Sequence, residues 1–378
     1  MIESLKIGIL GGGQLGKMLV QAALDLDLDL HILDPDPNAP CKNICASFSV
    51  GDLNDYQTVL EFGSTLDIIT IEIENVNVEA LKALEKSGKK VYPQAHIIEN
   101  IKNKISQKQF YHTHNIPTAS FKIVQTAAEI HHHLADLPFV NKIATGGYDG
   151  KGVQMIKTEA DISKAFDAPG LLEQLIDFKK ELAVIVARSE NGEIKTFPVV
   201  EMAFHPEANL VEYLFAPAHI SEELSQKASD LAIHVANTYG IVGLLAVEMF
   251  LDQNDNILVN EVAPRPHNSG HHTLRANYCS QFDQHWRAIL GLPLQDTTAI
   301  SQAAMVNIVG AANATGNVKI IGLEKVLSKG NIFPYFYGKK TTKPFRKMGH
   351  VSILENNFES LKEKINFVQD NLIITAQE

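Results

Sequence analysis

The chain of 378 residues has little cysteine: Cys41, Cys45 and Cys279 only. So sparse and odd a set gives no disulfide framework. The Cys41–Cys45 spacing is too wide for C-x-x-C, and no second pair completes a zinc site. Long apolar runs are missing too, and none approaches a membrane span. Positive charge is short, with 33 Lys and Arg against 44 Asp and Glu and a formal net charge of −11. Phosphate backbones are held by surplus Lys and Arg, so the balance argues against a nucleic-acid partner. It leaves room for a small anionic substrate gripped by a local cluster. The sequence runs straight into a strand-like segment with no cleavable leader, so a cytoplasmic protein with no membrane partner is expected.

What is present is ordinary globular material, 45% hydrophobic and 20% charged, long enough for two or three domains. The stretch "KIGILGGGQLGKML" places Gly11, Gly13 and Gly16 in G-x-G-x-x-G between an apolar run and a helical pattern. Asp34 closes the next apolar run, where a ribose-binding carboxylate would sit. Read alone, these residues suggest an NAD enzyme. To about Pro93, strand-like runs ("KIGIL", "HILD", "DIITIEIENV", "KKVYP") alternate with helical patterns, which predicts a doubly wound α/β unit. Glu72 and Glu74, two apart at a strand end, share a face that either lines a cleft or is solvated.

Beyond Pro93, "IENIKNKISQKQFYHTHNIPT" reads as one helix ending before Pro117. His131 to His133 fall in a polar helical stretch, a solvated face. "KIATGGYDGKG" sets Lys142 before Gly146, Gly147, Gly150 and Gly152; such a loop can bring backbone N–H groups to phosphate oxygens, or be only a flexible hairpin. A helix is expected from Ser221 to Tyr239, stopped by Gly240. "AVEMFLDQNDNILVNEV" predicts a β-hairpin. With its turn centred between Asn254 and Asp255, Glu248 lies opposite Glu261 on one face. Paired carboxylates repel unless a cation lies between them, and oxygen ligands suit Mg²⁺. Two solvated glutamates are the competing reading. Asn260 and the polar tail "APRPHNSGHH" favour a site.

The segments "GGGQLGKM", "SQKQF", "TGGYDGKG", "VEMFL…VNEVAPRPHNSGHH", "SQFDQHWRAILGLPL" and "RKMGH" resemble, in order and over nearly the whole chain, the N5-carboxyaminoimidazole ribonucleotide synthases. These are ATP-grasp enzymes of purine biosynthesis. The resemblance implies an α/β chain, α+β in its ATP-grasp part. A Rossmann-like N-terminal domain (1–100) precedes an ATP-grasp domain (101–290) with a mobile lid at about 116–175. A small C-terminal domain (291–378) completes the substrate site. It implies ATP as co-substrate, one or two Mg²⁺ ions, bicarbonate and 5-aminoimidazole ribonucleotide as partners, a carboxyphosphate intermediate and a homodimer. It also removes the dinucleotide: the GGGQLG loop then serves a tight strand-to-helix turn near a substrate phosphate.

The resemblance assigns residues as follows. Lys142 and Lys104 would hold ATP phosphates, and the lid Gly147, Tyr148, Asp149, Gly150, Lys151, Gly152 and Val153 would cover them. Glu173, Gln174, Leu175 and Ile176 resemble the hinge that reads adenine, Glu181 would take the ribose hydroxyls, and His205 would add a nucleotide contact. Glu248 and Glu261 would carry Mg²⁺ beside Asn260, while Arg265, His267 and Asn268 would hold bicarbonate and carboxyphosphate. Tyr148 and Asp149 would face the ribonucleotide, and Arg346 and Lys347 its 5′-phosphate. His271 and His350 are expected to be structural neighbours. The chain departs from the family pattern at Lys104 (usually Arg), Val153 (Gln), Met202 (Asn) and His272 (Tyr or Trp). Competing assignments are another ATP-grasp ligase of purine precursors, such as a formate-dependent glycinamide ribonucleotide transformylase, an NAD-dependent dehydrogenase, and a nucleotide sensor.

Overall fold

The computed structural model describes residues 5–147, 152–205 and 210–377. Strands β1 (Lys6–Leu10), β2 (Asp29–Asp34), β3 (Ser47–Val50), β4 (Ile68–Ile71) and β5 (Lys90–Tyr92) pair in parallel in the order β3-β2-β1-β4-β5. The inner strands are continuous apolar runs because helices cover both faces. Helices α1 (Gln14–Ala23), α2 (Tyr56–Ser64) and α3 (Val78–Lys86) make the crossings. This is the doubly wound unit expected from the alternation, with one correction: the fourth strand stops at Ile71, so Glu72 and Glu74 stand beyond the sheet.

That early stop decides what the glycine loop does. The Glu72 carboxylate accepts from Gly13 N–H (2.7 Å) and Gly16 N–H (2.6 Å) at the start of α1. Asp34 accepts from Gly12 N–H (2.6 Å) and Asp36 N–H (2.7 Å). The donors that a pyrophosphate would use in a dinucleotide fold are taken by a side chain of the same domain, and so is the expected ribose carboxylate. The expectation of a substrate phosphate against Gly13 and Gly16 is likewise corrected, since their amides are filled. A Cβ on Gly16 would lie 2.9 Å from the Gly11 carbonyl oxygen, so the motif's last glycine is required by the turn itself.

The single helix expected after Pro93 is two helices, α4 (Ala95–Lys102) and α5 (Lys104–Thr113). Asn103 breaks it: its backbone is extended, and its side chain accepts from the N–H groups of Ile105 and Ser106, capping α5. The chain then forms a separate antiparallel sheet from β6 (Phe121–Val124), β7 (Phe139–Ile143), β8 (Val153–Ile156) and β9 (Gly170–Gln174), in the order β6-β9-β7-β8. It has its own small core of Val124, Ile130, Phe139, Ile156, Ile162 and Leu172. His131 to His133 lie in a 3-10 stretch beside it.

The central sheet has nine strands. They are β10 (Phe178–Arg188), β11 (Ile194–Thr196), β12 (Val200–Phe204), β13 (Val211–Ala216), β14 (Gly243–Asp252), β15 (Ile257–Ala263) and β16 (Gln302–Val309), and, past β17 (Gly316–Ile321), β18 (Ile332–Phe336) and, past β19 (Thr341–Thr342), β20 (Lys347–Glu355). The order is β15-β14-β10-β12-β13-β16-β20-β18, with β11 against β10. The C-terminal segment thus extends the central sheet, and only β17, β19 and β21 (Ile373–Ala376) pair apart from it. Helix α6 (Glu222–Tyr239) runs as expected, capped by Ser221 and ended by Gly240 at φ +63°.

After β15 come the short α7 (Thr273–Ala276) and α8 (Gln281–Leu290). The latter packs between the two sheets: Phe282, Trp286 and Ile289 share a core with Ile7, Met18 and Leu19 of the first domain, and Ala288 with Ile185 and Leu244 of the central sheet. The Trp286 indole N–H donates to the Leu19 carbonyl at 2.8 Å. Among the described residues no helix is long and apolar enough to cross a membrane.

With the loop amides satisfied internally, NADH is expected to show no saturable fluorescence change on titration with the protein. Saturable binding would require Glu72 to leave Gly13 and Gly16.

Candidate active site

The site forms where one face of the central sheet meets the start of α5 and the small sheet. In the β14–β15 hairpin, Glu248 pairs directly with Glu261, as the spacing predicts. The route to that register differs from expectation. Near the turn Leu251 pairs with Ile257 and Met249 with Val259, a turn one residue tighter, and Asn260 is then an extra residue that shifts the register. Such a bulge re-aims side chains. Here two consecutive residues meet lysines: Asn260 Oδ1 accepts from Lys142 Nζ at 3.1 Å, and Glu261 Oε2 from Lys104 Nζ at 2.9 Å. On the adjacent strand Ala183 pairs with Glu248, so Glu181, two residues before Ala183, lies on the carboxylate face.

Elements far apart in sequence deliver the cations. Lys104 is the first residue of α5, and its backbone N–H donates to the Ala144 carbonyl at 2.8 Å, which fixes the helix start beside the end of β7. Lys142 on β7 reaches Glu173 Oε2 at 2.8 Å. Glu173 is therefore no ordinary strand residue: it is 3% exposed and its carboxylate bridges Lys142 and Lys108, the second at 3.4 Å. Burial pushes Glu173 upward, but Lys142 and Lys108 outweigh it and hold the group below the usual carboxylate range. Of the expected hinge, Glu173 and Gln174 end β9 and Leu175 and Ile176 link it to β10. The Gln174 N–H is already donated to the Ser120 carbonyl.

The polar tail after β15 closes the site. His267 Nε2 lies 3.2 Å from Glu248 Oε1. Its Nδ1 faces the Ser269 hydroxyl at 2.9 Å and accepts from the Ser269 N–H at 3.4 Å, so Nε2 carries the hydrogen toward Glu248. Arg265 Nε is 2.9 Å from Glu74 Oε2, which ties the first domain to the site. Glu74, rather than Glu72, is the member of that pair turned to the cleft. Asn268 exchanges amide hydrogen bonds with Asn307 on β16, both at 2.9 Å. Lys347 opens β20, close enough for its charge to favour ionised Glu248. Arg346 donates to the Thr341 carbonyl (2.8 Å) and hydroxyl (3.0 Å). His205 follows β12, its ring 5.7 Å from that of Phe345. Gly147, Gly152 and Val153 flank the lid tip, with Val153 paired to Lys142. Tyr148, Asp149, Gly150 and Lys151 lie outside the described residues. His271 and His350 are neighbours as expected, with ring centroids 4.7 Å apart.

The carboxylates feel opposite fields. Burial, with the charges of Glu261 and Glu181, raises Glu248; Lys104 lowers Glu261. Burial and the Glu261 charge push Glu181 up to about 7 against the pull of Lys142. Among the described residues no group of three or more His, Cys, Asp or Glu side chains could hold a metal. The Glu248–Glu261 pair does fit a hard cation that completes its shell with phosphate oxygens and water.

Sequence reasoning missed Lys108, Asn307 and the carboxylate role of Glu173. A lysine on the buried side of α5, three residues from Tyr111, was the available signal for the first. No local signal marks Asn307.

Comparison with known proteins agrees with this architecture. A family model described as an ATP-grasp domain matches residues 109–282. A ribonucleotide synthetase pre-ATP-grasp domain matches 4–102, and a phosphoribosylaminoimidazole carboxylase C-terminal domain matches 303–364. The fold is thus that of the ATP-grasp class. The N5-carboxyaminoimidazole ribonucleotide synthase of Bacillus subtilis is 38% identical over 356 residues, 92% of this chain and 91% of its own. The crystal structure of N5-carboxyaminoimidazole ribonucleotide synthetase from Thermotoga maritima superposes with a TM-score of 0.92 at 38% identity, covering 99% of this chain and 100% of that one. The Aspergillus clavatus N5-carboxyaminoimidazole synthase, solved with ADP and 5-aminoimidazole ribonucleotide, gives 0.88 at 33% identity over 98% and 99%. This chain belongs to the N5-carboxyaminoimidazole ribonucleotide synthase family.

A carboxyl raised on folding stabilises the fold at low pH and loses that contribution as pH rises through its folded value. The contribution of Glu181 to thermal stability should therefore fall as pH rises from about 5 through 7, and Glu181→Gln, which cannot ionise, should gain stability relative to wild type over that range. An unchanged slope would place Glu181 in water.

Proposed function

We propose that this enzyme joins bicarbonate to the exocyclic amine of 5-aminoimidazole ribonucleotide while cleaving ATP to ADP and phosphate. Family membership supports the reaction. The observation that carries the site assignment is the pair Glu248 and Glu261, one strand apart and faced by Lys104, His267 and, beside them, Lys142 on Asn260.

Bicarbonate is a poor electrophile. Its oxygen first attacks the γ-phosphorus, the bond to the ADP oxygen breaks, and carboxyphosphate forms. The ribonucleotide amine then takes the carboxyl carbon and phosphate leaves. Phosphoryl transfer asks chiefly for positioning and charge neutralisation. In this assignment Lys142 and Lys104 meet the ATP phosphates. As a lysine, Lys104 offers a point charge where the family pattern has a two-pronged guanidinium. Glu181 takes the ribose hydroxyls, the segment from Glu173 to Ile176 takes adenine, and His205 adds a nucleotide contact. Glu248 and Glu261 hold Mg²⁺, one or two ions, which neutralises phosphate oxygens when bound. Arg265, steadied by Glu74, and His267 hold bicarbonate and the carboxyphosphate, with Asn268 fixed beside them by Asn307. Tyr148 and Asp149 face the ribonucleotide, and Lys347 and Arg346 take its phosphate. The lid from Gly147 to Val153 excludes water from the intermediate. The assignment divides the chain into domains at about 100 and 290, with the lid at about 116–175. The resemblance also supports a cytoplasmic homodimer.

Phosphate release from Mg·ATP and bicarbonate should be strongly stimulated by 5-aminoimidazole ribonucleotide. ATP binding without stimulation would point to another purine precursor or to a sensor. Glu261→Gln should abolish turnover with the fold intact by circular dichroism; a fully active variant would sink the metal assignment. Arg346→Ala should raise the KM for the ribonucleotide far more than that for ATP, and equal effects would remove Arg346 from the phosphate site.

A further inference from the structure

We infer that Lys108 is a positioning residue for nucleotide binding: through Glu173 it leaves the Lys142 charge free for the ATP phosphates, and through Thr118 it fastens the lid to the strand that carries Glu261. The inference rests on the reading of Lys142 as a phosphate contact.

Lys108 is 2% exposed, on the inner side of α5. Its ammonium lies 2.5 Å from the Thr118 hydroxyl and 3.4 Å from Glu173 Oε1. The other oxygen of Glu173 holds Lys142 at 2.8 Å. Two lysines thus share one carboxylate, and the group carries one surplus positive charge. A buried Lys142–Glu173 pair without Lys108 would be neutral. The carboxylate would then compete with phosphate for the whole of the Lys142 charge. With Lys108 satisfying half of Glu173, the surplus stays at Lys142, the more exposed of the two, whose other contact is Asn260 on the carboxylate hairpin. Burial keeps the charge of Lys108 from being screened by water, so it acts strongly on the Glu173 carboxylate beside it.

The second contact joins separate parts of the fold. Thr118 enters the lid, and its hydroxyl donates to the Val259 carbonyl at 2.6 Å, one residue before the Asn260 bulge. Val259 N–H donates back to the Pro117 carbonyl at 2.7 Å. Glu173 stands where the lid sheet returns to the central sheet. Lys108 therefore touches the segment entering the lid and the strand leaving it at once, from a helix that belongs to neither. An apolar residue of similar length would fill the space and lose both contacts.

The test is the affinity for Mg·ADP and for AMP by calorimetry, with steady-state kinetics, on the full chain. Lys108→Met should weaken Mg·ADP by about tenfold or more, change AMP and the KM for the ribonucleotide little, and be largely recovered by Lys108→Arg. Adding Glu173→Gln to Lys108→Met restores the single surplus charge, so the double variant should return to within about threefold of the wild-type Mg·ADP affinity. A packing role would show no such rescue. Should Lys108→Met fail to fold, the double variant, which buries no unpaired carboxylate, is compared with wild type directly. Unchanged Mg·ADP affinity in folded Lys108→Met, or a double variant about tenfold or more weaker than wild type, overturns the inference. Lys142→Met is measured alongside. If it binds Mg·ADP as wild type does, the phosphate reading itself fails; if it loses the nucleotide while Lys108→Met keeps it, only the role of Lys108 fails.

Discussion

Two carboxylates held across neighbouring strands in a partly buried site repel each other, and the rest of this molecule is arranged around that repulsion. The β14–β15 hairpin sets Glu248 against Glu261, and Glu181 from β10 adds a third acid to the same face. Each remaining layer sends a cation or a hydrogen-bond donor toward them. Lys104 comes from the helix that precedes the small antiparallel sheet, Lys142 from that sheet, and His267 from the segment after the hairpin. The opposite directions in which Glu248 and Glu261 are pushed express how unequally those cations are shared. A site so charged is costly to fold and suits a ligand that brings both phosphate and metal, since these complete the neutralisation that the protein leaves unfinished.

The first domain shows how little a glycine motif says without its neighbours. The loop has the spacing, the preceding strand and the following helix of a dinucleotide site. One carboxylate just past β4, the strand that pairs with β1, changes its meaning: Glu72 takes the amides that would face a pyrophosphate, and Asp34 is spent on the same turn. Burial raises Glu72, with the Gly16 and Gly13 amides pulling the other way, so the group belongs to the loop as firmly as any of its backbone.

Local chemistry made a good part of the fold readable. The period-two alternation and the DQNDN turn gave the hairpin, and the opposed glutamates followed from its symmetry, although a tighter turn and a compensating bulge produce the pairing. Ser221 and Gly240 marked α6 at both ends. Asn103 was a readable break as well, a capping residue inside a helical pattern, but the long run of helix formers around it hid the signal. The partnerships of Lys108 with Glu173 and of Asn268 with Asn307 were not readable, because they join residues 65 and 39 positions apart and depend on how the sheets are placed. The resemblance named most of the cleft's residues. It did not carry the fact that Glu173 acts by its carboxylate, nor that the C-terminal strands continue the central sheet.

Helix α8 lies late in the chain yet fills the core of the first domain, where Trp286 reaches the Leu19 carbonyl and Tyr337 packs from later still. As the chain leaves the ribosome, the opening strands and α1 emerge with that apolar face uncovered. They stay so until α8 has been made, after β10 to β15. Nascent chains of this kind are exposed to aggregation and to chaperones for most of their synthesis. A fragment cut after the first hundred residues would keep the sheet's hydrogen bonds and lack its lid of tryptophan and phenylalanine. The first domain is therefore first in sequence, yet its core is completed by residues beyond 280.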